Sequence, residues 1–199
     1  MTTGSFVLGL TGSIGMGKST TAQMFRDLGV PIWDADQAVA VLYGPDGGAL
    51  AALAAIDPSF VRQGIADRDA MKQAISDDPV VLAAIEEAVH PLVRASRVGF
   101  LKENRAAGLV VLDIPLLFET GAEDQVDAVL VVTAPEDVQY DRVMARGTMT
   151  PDMFKAIRAK QLPDDEKRQR ADYVIETLTL EGTKADVTSL VKELRAKHA

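Results

Sequence analysis

The apolar positions of this chain follow two periods. LVVLD (109–113) and AVLVVT (128–133) are continuous apolar, β-branched runs of the length expected for strands buried on both faces of a parallel sheet. SFVLGL (5–10), PIWD (31–34) and YVIE (173–176) read as three further strands. Helical periodicity predicts helices over 17–28, 135–146, 150–161 and near 183–197, with PDDEKRQRAD (163–172) a charged segment between the last two. From Ala35 to Arg105 the pattern is helical but irregular, with ALAALAAI and VVLAAIEEAV broken at Gly44-Pro45, Asp57-Pro58, Asp78-Pro79 and His90-Pro91. That stretch predicts several helices inserted between two strands, one of them starting at Pro91. Five strands alternating with helices imply a three-layer α/β fold with a mostly parallel sheet.

At 199 residues, 47% apolar and 25% charged, the chain is expected to form one packed domain and is unlike a disordered polymer. It contains no cysteine, which excludes disulfides, thiolate metal sites and a cysteine nucleophile, and makes a reducing cytoplasmic location the expectation. The stretch MTTGSFVLGLTGS has no basic segment and only a short apolar run, so neither export nor membrane anchoring is expected. A formal net charge of −8 disfavours general nucleic-acid binding but leaves room for a small anion held by a few aimed groups. No surface stripe specifies an interface, and a monomer or weak homo-oligomer is expected.

Chemistry enters at Gly12-Ser13-Ile14-Gly15-Met16-Gly17-Lys18-Ser19, followed by Thr20, which fits the phosphate-binding pattern G-x-x-x-x-G-K-[ST]. Glycines let the backbone curl with its N–H groups inward, Lys18 adds a charge near the β- and γ-phosphates, and Ser19 can ligate Mg²⁺. The helix after the loop presents its positive end to the anion.

The rest of the chain separates a switch, a motor and a kinase. Thr183-Lys184-Ala185-Asp186 looks like a guanine-reading motif but is separated by LTLEG from the strand it should directly succeed. Asp113-Ile114-Pro115-Leu116 has Leu where a GTPase switch needs Gly. Asp113, at the end of a strand, can serve Mg²⁺ or merely turn the chain before Pro115. In Asp34-Ala35-Asp36 one carboxylate can cap a helix while the other takes a proton from an attacking hydroxyl. Arg142 and Arg146 share a helix face and precede Arg158, Lys160, Lys167, Arg168 and Arg170; this set reads as a phosphate clamp or as a solvated face paired to Asp141 and Glu136. Trp33 is expected in the core. Together these features describe a kinase of the nucleoside-monophosphate type; a non-catalytic nucleotide-binding protein remains the alternative from another class.

LTGSIGMGKST (10–20), LGVPIWDAD (28–36), GIADR (64–68), EEAVHPLV (86–93), VVLDIPLLFETG (110–121) and the segment 142–175 together resemble the dephospho-CoA kinase family, over nearly the whole chain. The resemblance implies a P-loop nucleoside triphosphate hydrolase-type fold with core 1–35, 106–139 and 171–199, a helical CoA-binding insertion 36–105 and a lid 140–170. It implies phosphorylation of the ribose 3′-hydroxyl of dephospho-CoA by ATP with Mg²⁺; a kinase for another small alcohol or nucleoside monophosphate is the nearest alternative. By position in that family, Asp36 becomes the base, with Lys18, Arg142 and Arg146 acting on the phosphates. Arg68, His90, Leu116, Leu117, Phe118 and Glu119 are then expected at the acceptor substrate, and Ser19 and Asp113 at the metal. Where the family commonly carries Asn-Gly near the adenine, this chain has Glu176-Thr177-Leu178-Thr179, and Thr177 is expected to supply similar hydrogen bonds.

Overall fold

The structure is a computed structural model and describes residues 4–198. In chain order the elements are β1 (Phe6–Thr11), α1 (Lys18–Asp27), β2 (Ile32–Asp34), α2 (Ala35–Tyr43), α3 (Leu50–Ile56), β3 (Val61–Arg62), β4 (Ile65–Ala66), α4 (Arg68–Asp77), α5 (Val80–Glu103), β5 (Leu109–Asp113), β6 (Ala128–Thr133), α6 (Glu136–Ala145), α7 (Pro151–Arg158), α8 (Asp164–Arg170), β7 (Tyr173–Glu176) and α9 (Leu180–Lys197). The chain divides into two compact units, one made of the residues up to Trp33 and from Asn104 onward, the other of Asp34–Glu103.

The first unit is organised by a sheet of order β2-β5-β1-β6-β7. β1 pairs in parallel with β5, from Phe6 opposite Leu109 to Leu10 opposite Asp113, and with β6, from Leu8 opposite Ala128 to Thr11 opposite Val131; β6 pairs in parallel with β7. This is the five-stranded α/β sheet expected from the apolar runs. Every residue of β5 and β6 is buried, which is why those two strands carry no polar alternation. On one face Leu8, Leu10, Leu130 and Val132 pack against Phe25 of α1 and Val187, Val191 and Leu194 of α9. Trp33 is in the core, 7% exposed.

The second unit has its own interior, centred on Leu53, Phe60, Met71, Ile85 and Val89. Asp34, Asp57 and Asp67 cap α2, the helical turn Pro58–Phe60 and α4: Asp34 accepts from Gln37 N, Asp57 from Ser59 N, and Asp67 from Asp69 N and Ala70 N.

Four local features differ from expectation. Pro91 does not begin a helix but lies inside α5. Its missing N–H leaves the carbonyl of Glu87 without a helical partner, and both residues are exposed, so that carbonyl is open to solvent and the helix can continue. β3 and β4 form a small antiparallel hairpin whose turn, Gln63-Gly64, has φ of 52° and 75°; two-residue strands are too short to leave a period. The charged segment 163–172 contains the helix α8, with acidic residues in its first turn and basic ones in its last, an order that complements the helix dipole. α9 starts at Leu180 because Thr179 caps it, accepting from Gly182 N.

Candidate active site

The segment between β1 and α1 forms a backbone cradle. Gly15 and Gly17 take left-handed φ of 81° and 87°, and a Cβ on either would lie 2.9 Å from an oxygen, Gln139 O or Thr177 Oγ1. Met16 N donates to Ser13 O at 3.1 Å, closing the turn, and the buried Met16 side chain accepts from Ala134 N through its sulfur at 3.0 Å. α1 has no side-chain cap, and its first intrahelical bond is Thr21 N to Gly17 O. The amides of Lys18, Ser19 and Thr20 therefore lie in the uncapped first turn, where a helix offers donors and positive potential to an anion.

Lys18 Nζ is 2.7 Å from Asp113 Oδ1, with the lysine side chain 16% and the aspartate side chain 2% exposed. Ser19 and Thr20 are exposed at the same helix start. A cavity of about 420 Å³ opens here, lined among others by Gly15, Gly17, Thr20, Arg142, Arg146 and Leu178. Arg142 donates to Thr177 Oγ1 at 2.9 Å and to the Thr177 carbonyl. The buried Thr177 hydroxyl in turn reaches Met16 O at 2.9 Å and Thr133 O at 3.2 Å. Thr177 thus lines the cavity with its hydroxyl already engaged, so it fixes Arg142 against the cradle.

A larger cavity, about 790 Å³, is lined by Ser13, Arg158, Asp164 and Arg168 among others. Its arginines face carboxylates: Arg158 pairs with Glu136, holding that carboxyl below its usual range, and Arg168 is 3.7 Å from Asp165. The smaller cavity is the better anion site because Gly17 and Thr20, at the uncapped start of α1, line it together with two arginines. Of the basic set, Arg142 and Arg146 face it, whereas Arg170 pairs with Glu123 and lies 4.5 Å over the Phe118 ring, and Lys167 is fully buried 2.8 Å from Glu119 Oε1.

A family model described as dephospho-CoA kinase matches residues 6–180. The chain belongs to the dephospho-CoA kinase family. A curated dephospho-CoA kinase of Cereibacter sphaeroides is 52% identical over 190 residues, covering 96% of both chains. The crystal structure of TT1252 from Thermus thermophilus superposes with a TM-score of 0.83 at 36% identity, covering 96% of this chain and 98% of that one. A Campylobacter jejuni dephospho-CoA kinase shares the fold, with a TM-score of 0.71 at 24% identity and coverage of 97% and 98%.

The remaining residues expected from the dephospho-CoA kinase resemblance are spread over both units. Asp36 is exposed in the first turn of α2, freed from capping because Asp34 does that work. Arg68 and His90 are exposed on the helical unit, and the Arg68 guanidinium lies 5.3 Å from the Tyr43 ring centre. Burial raises the Tyr43 phenol above its usual value, against the opposing charge of Arg68. Leu116 is 42% exposed, but Leu117 and Phe118, at 0% and 6%, are interior side chains that pack the unit and offer a ligand little surface. Glu119 accepts from Leu162 N at 2.8 Å as well as facing Lys167, so it ties the loop after β5 to the start of α8.

Ser19 and Asp113 supply hard oxygen donors suited to Mg²⁺, which keeps water and phosphate as its other ligands. Among the described residues no group of three or more His, Cys, Asp or Glu is placed to hold a metal unaided. Two residues went unnoticed in the sequence: Gln139, whose Nε2 donates to Ile14 O at 2.7 Å, and Gln161, whose Oε1 accepts from Ile14 N at 3.1 Å. Neither belongs to a pattern, and their partners are backbone atoms remote in the chain.

Proposed function

We propose that the protein transfers the γ-phosphoryl group of ATP to the ribose 3′-hydroxyl of dephospho-CoA, giving CoA and ADP. The observation that carries this reading is the cradle from Gly12 to Thr20, of which Gly15, Gly17 and Thr20 line the same cavity as Arg142 and Arg146. The amides and Lys18 grip the triphosphate, and Arg142, held by Thr177, reaches it from the side of α6. Ser19 and Asp113 would hold Mg²⁺, which would supply charge neutralisation to the phosphates. Asp36 accepts the proton of the 3′-hydroxyl as its oxygen bonds to phosphorus and ADP departs. Arg146 offsets charge that builds on the transferring group. Arg68, His90 and Leu116 bind the acceptor, with 140–170 covering the nucleotide and excluding water.

The protein works in the cytoplasm as a monomer or weak homo-oligomer. The absence of cysteine in the sequence supports the location, and among the described residues no helix is long and apolar enough to cross a membrane. The test is to incubate it with MgATP and dephospho-CoA and monitor CoA by mass. CoA formation, with kcat falling about 10²-fold or more in Asp36→Asn, is expected; preference for another alcohol or a nucleoside monophosphate would reassign the acceptor site.

A further inference from the structure

Both peptide groups flanking Ile14 are held from outside the cradle. In the Ser13–Ile14 peptide the carbonyl accepts from Met16 N at 3.1 Å and the N–H donates to Gln161 Oε1 at 3.1 Å. In the Ile14–Gly15 peptide the carbonyl accepts from Gln139 Nε2 at 2.7 Å. Gln139 is 2% exposed, so its side chain is enclosed by the fold. Only the amide nitrogen can face a carbonyl there, and only the amide oxygen can face the Ile14 N–H. No peptide bond among the described residues is cis, and in a trans peptide the C=O and N–H point in opposite directions. Drawing the Ile14 carbonyl toward α6 therefore turns the Gly15 N–H the other way. Gly15 lines the nucleotide cavity.

We infer that Gln139 and Gln161 are positioning residues for phosphoryl transfer, gripping the two peptides of Ile14 so that the Gly15 N–H is aimed at the bound phosphates. This inference rests on the kinase reading. Gly15 has a left-handed φ of 81°, and without a Cβ the residue is free to rotate its peptide. The two glutamines remove that freedom before substrate arrives, as preorganised donors require. Gln161 comes from the segment joining α7 to α8, which Glu119 also holds through Leu162 N and Thr133 holds through Asp164, at 2.8 and 2.6 Å. The grip is thus attached to the loop after β5 and to the end of β6.

The test uses Gln139→Met and Gln161→Met, which keep length and remove the amide, and the double variant. The expected result is a roughly tenfold or greater fall in kcat for each single variant, with KM for dephospho-CoA unchanged. Because both side chains act on one residue, the double variant should fall by much less than the product of the singles. In ¹⁵N-labelled protein the Gly15 amide resonance should move on adding ADP, and move less in either variant. Unchanged kcat in a folded Gln161→Met protein, or fully multiplicative losses, would overturn the inference, and Gln161→Met keeps it testable should Gln139→Met fail to fold. The amide shift needs no turnover, so a wild-type protein that makes no CoA but shows the shift would refute the kinase reading and leave the grip standing.

Discussion

Glu119→Gln is the sharpest probe of how the loop after β5 is held. Lys167 is fully buried, its ammonium 2.8 Å from Glu119 Oε1, and no other acceptor among the described residues bonds it. Burial alone pushes the Glu119 carboxyl up, but the hydrogen bonds from Lys167 and from the Leu162 amide outweigh it and hold the group below its usual 4.5. Glutamine at this position keeps an acceptor for Leu162 N and deletes the charge, leaving Lys167 buried and uncompensated. Removing one partner of a buried pair costs about 3–5 kcal/mol; with the Glu119 side chain 16% exposed, the low end applies, about 3 kcal/mol. At roughly 2–4 °C per kcal/mol for a chain of this size, Tm should fall by about 6–12 °C at neutral pH. A carboxyl with a lowered folded pKa contributes stability above its unfolded value and loses it as pH falls through the folded one. The difference between wild type and E119Q should therefore narrow as pH drops below 4.5. Adding Lys167→Met should recover most of the loss, because the orphaned charge is gone. Thermal melts between pH 3.5 and 8 decide the matter, and an E119Q variant melting within about 2 °C of wild type at pH 7 would show that Lys167 is not held as argued.

Lys18→Ala removes the cation from the proposed triphosphate site and takes the Lys18 ion pair from the buried Asp113 carboxylate, so ATP affinity by calorimetry and kcat should both fall, each by about tenfold or more. Thr177→Val keeps the shape but deletes the hydroxyl shared by Met16 O and Arg142; a loss of about 1–3 kcal/mol in chemical denaturation and a several-fold rise in KM for ATP are expected. Arg146→Ala, at an exposed position facing the cavity, should lower kcat with Tm within about 2 °C of wild type.

The elements that could be read from the sequence are those whose cause is local. LVVLD and AVLVVT bound their strands to the residue because burial on both faces leaves an unbroken apolar run ended by a turn. The cradle was legible because its curl, its lysine and its helix start lie within nine consecutive positions. Lys167 looks in the sequence like one of several surface charges, since nothing in its neighbours announces Glu119, which arrives from a different segment. Gln139 and Gln161 are silent for the same reason, bonding to Ile14 across 125 and 147 positions. Pro91 misleads because a proline's cost depends on whether water reaches the orphaned carbonyl, which only the fold decides. Asp36 was legible as a candidate because Asp34 two residues earlier satisfies the helix start.

The pairing of β1 constrains how the newly made chain can fold. Its two neighbours are β5 and β6, so Phe6 has no strand to bond until Leu109 and the rest of β5 have been synthesised. Meanwhile the contiguous stretch Asp34–Glu103 carries its own apolar interior and can collapse as soon as it leaves the ribosome. An apolar N-terminal segment left unpaired for that long is where chaperones and aggregation compete, and slowing translation before residue 109 lengthens the contest.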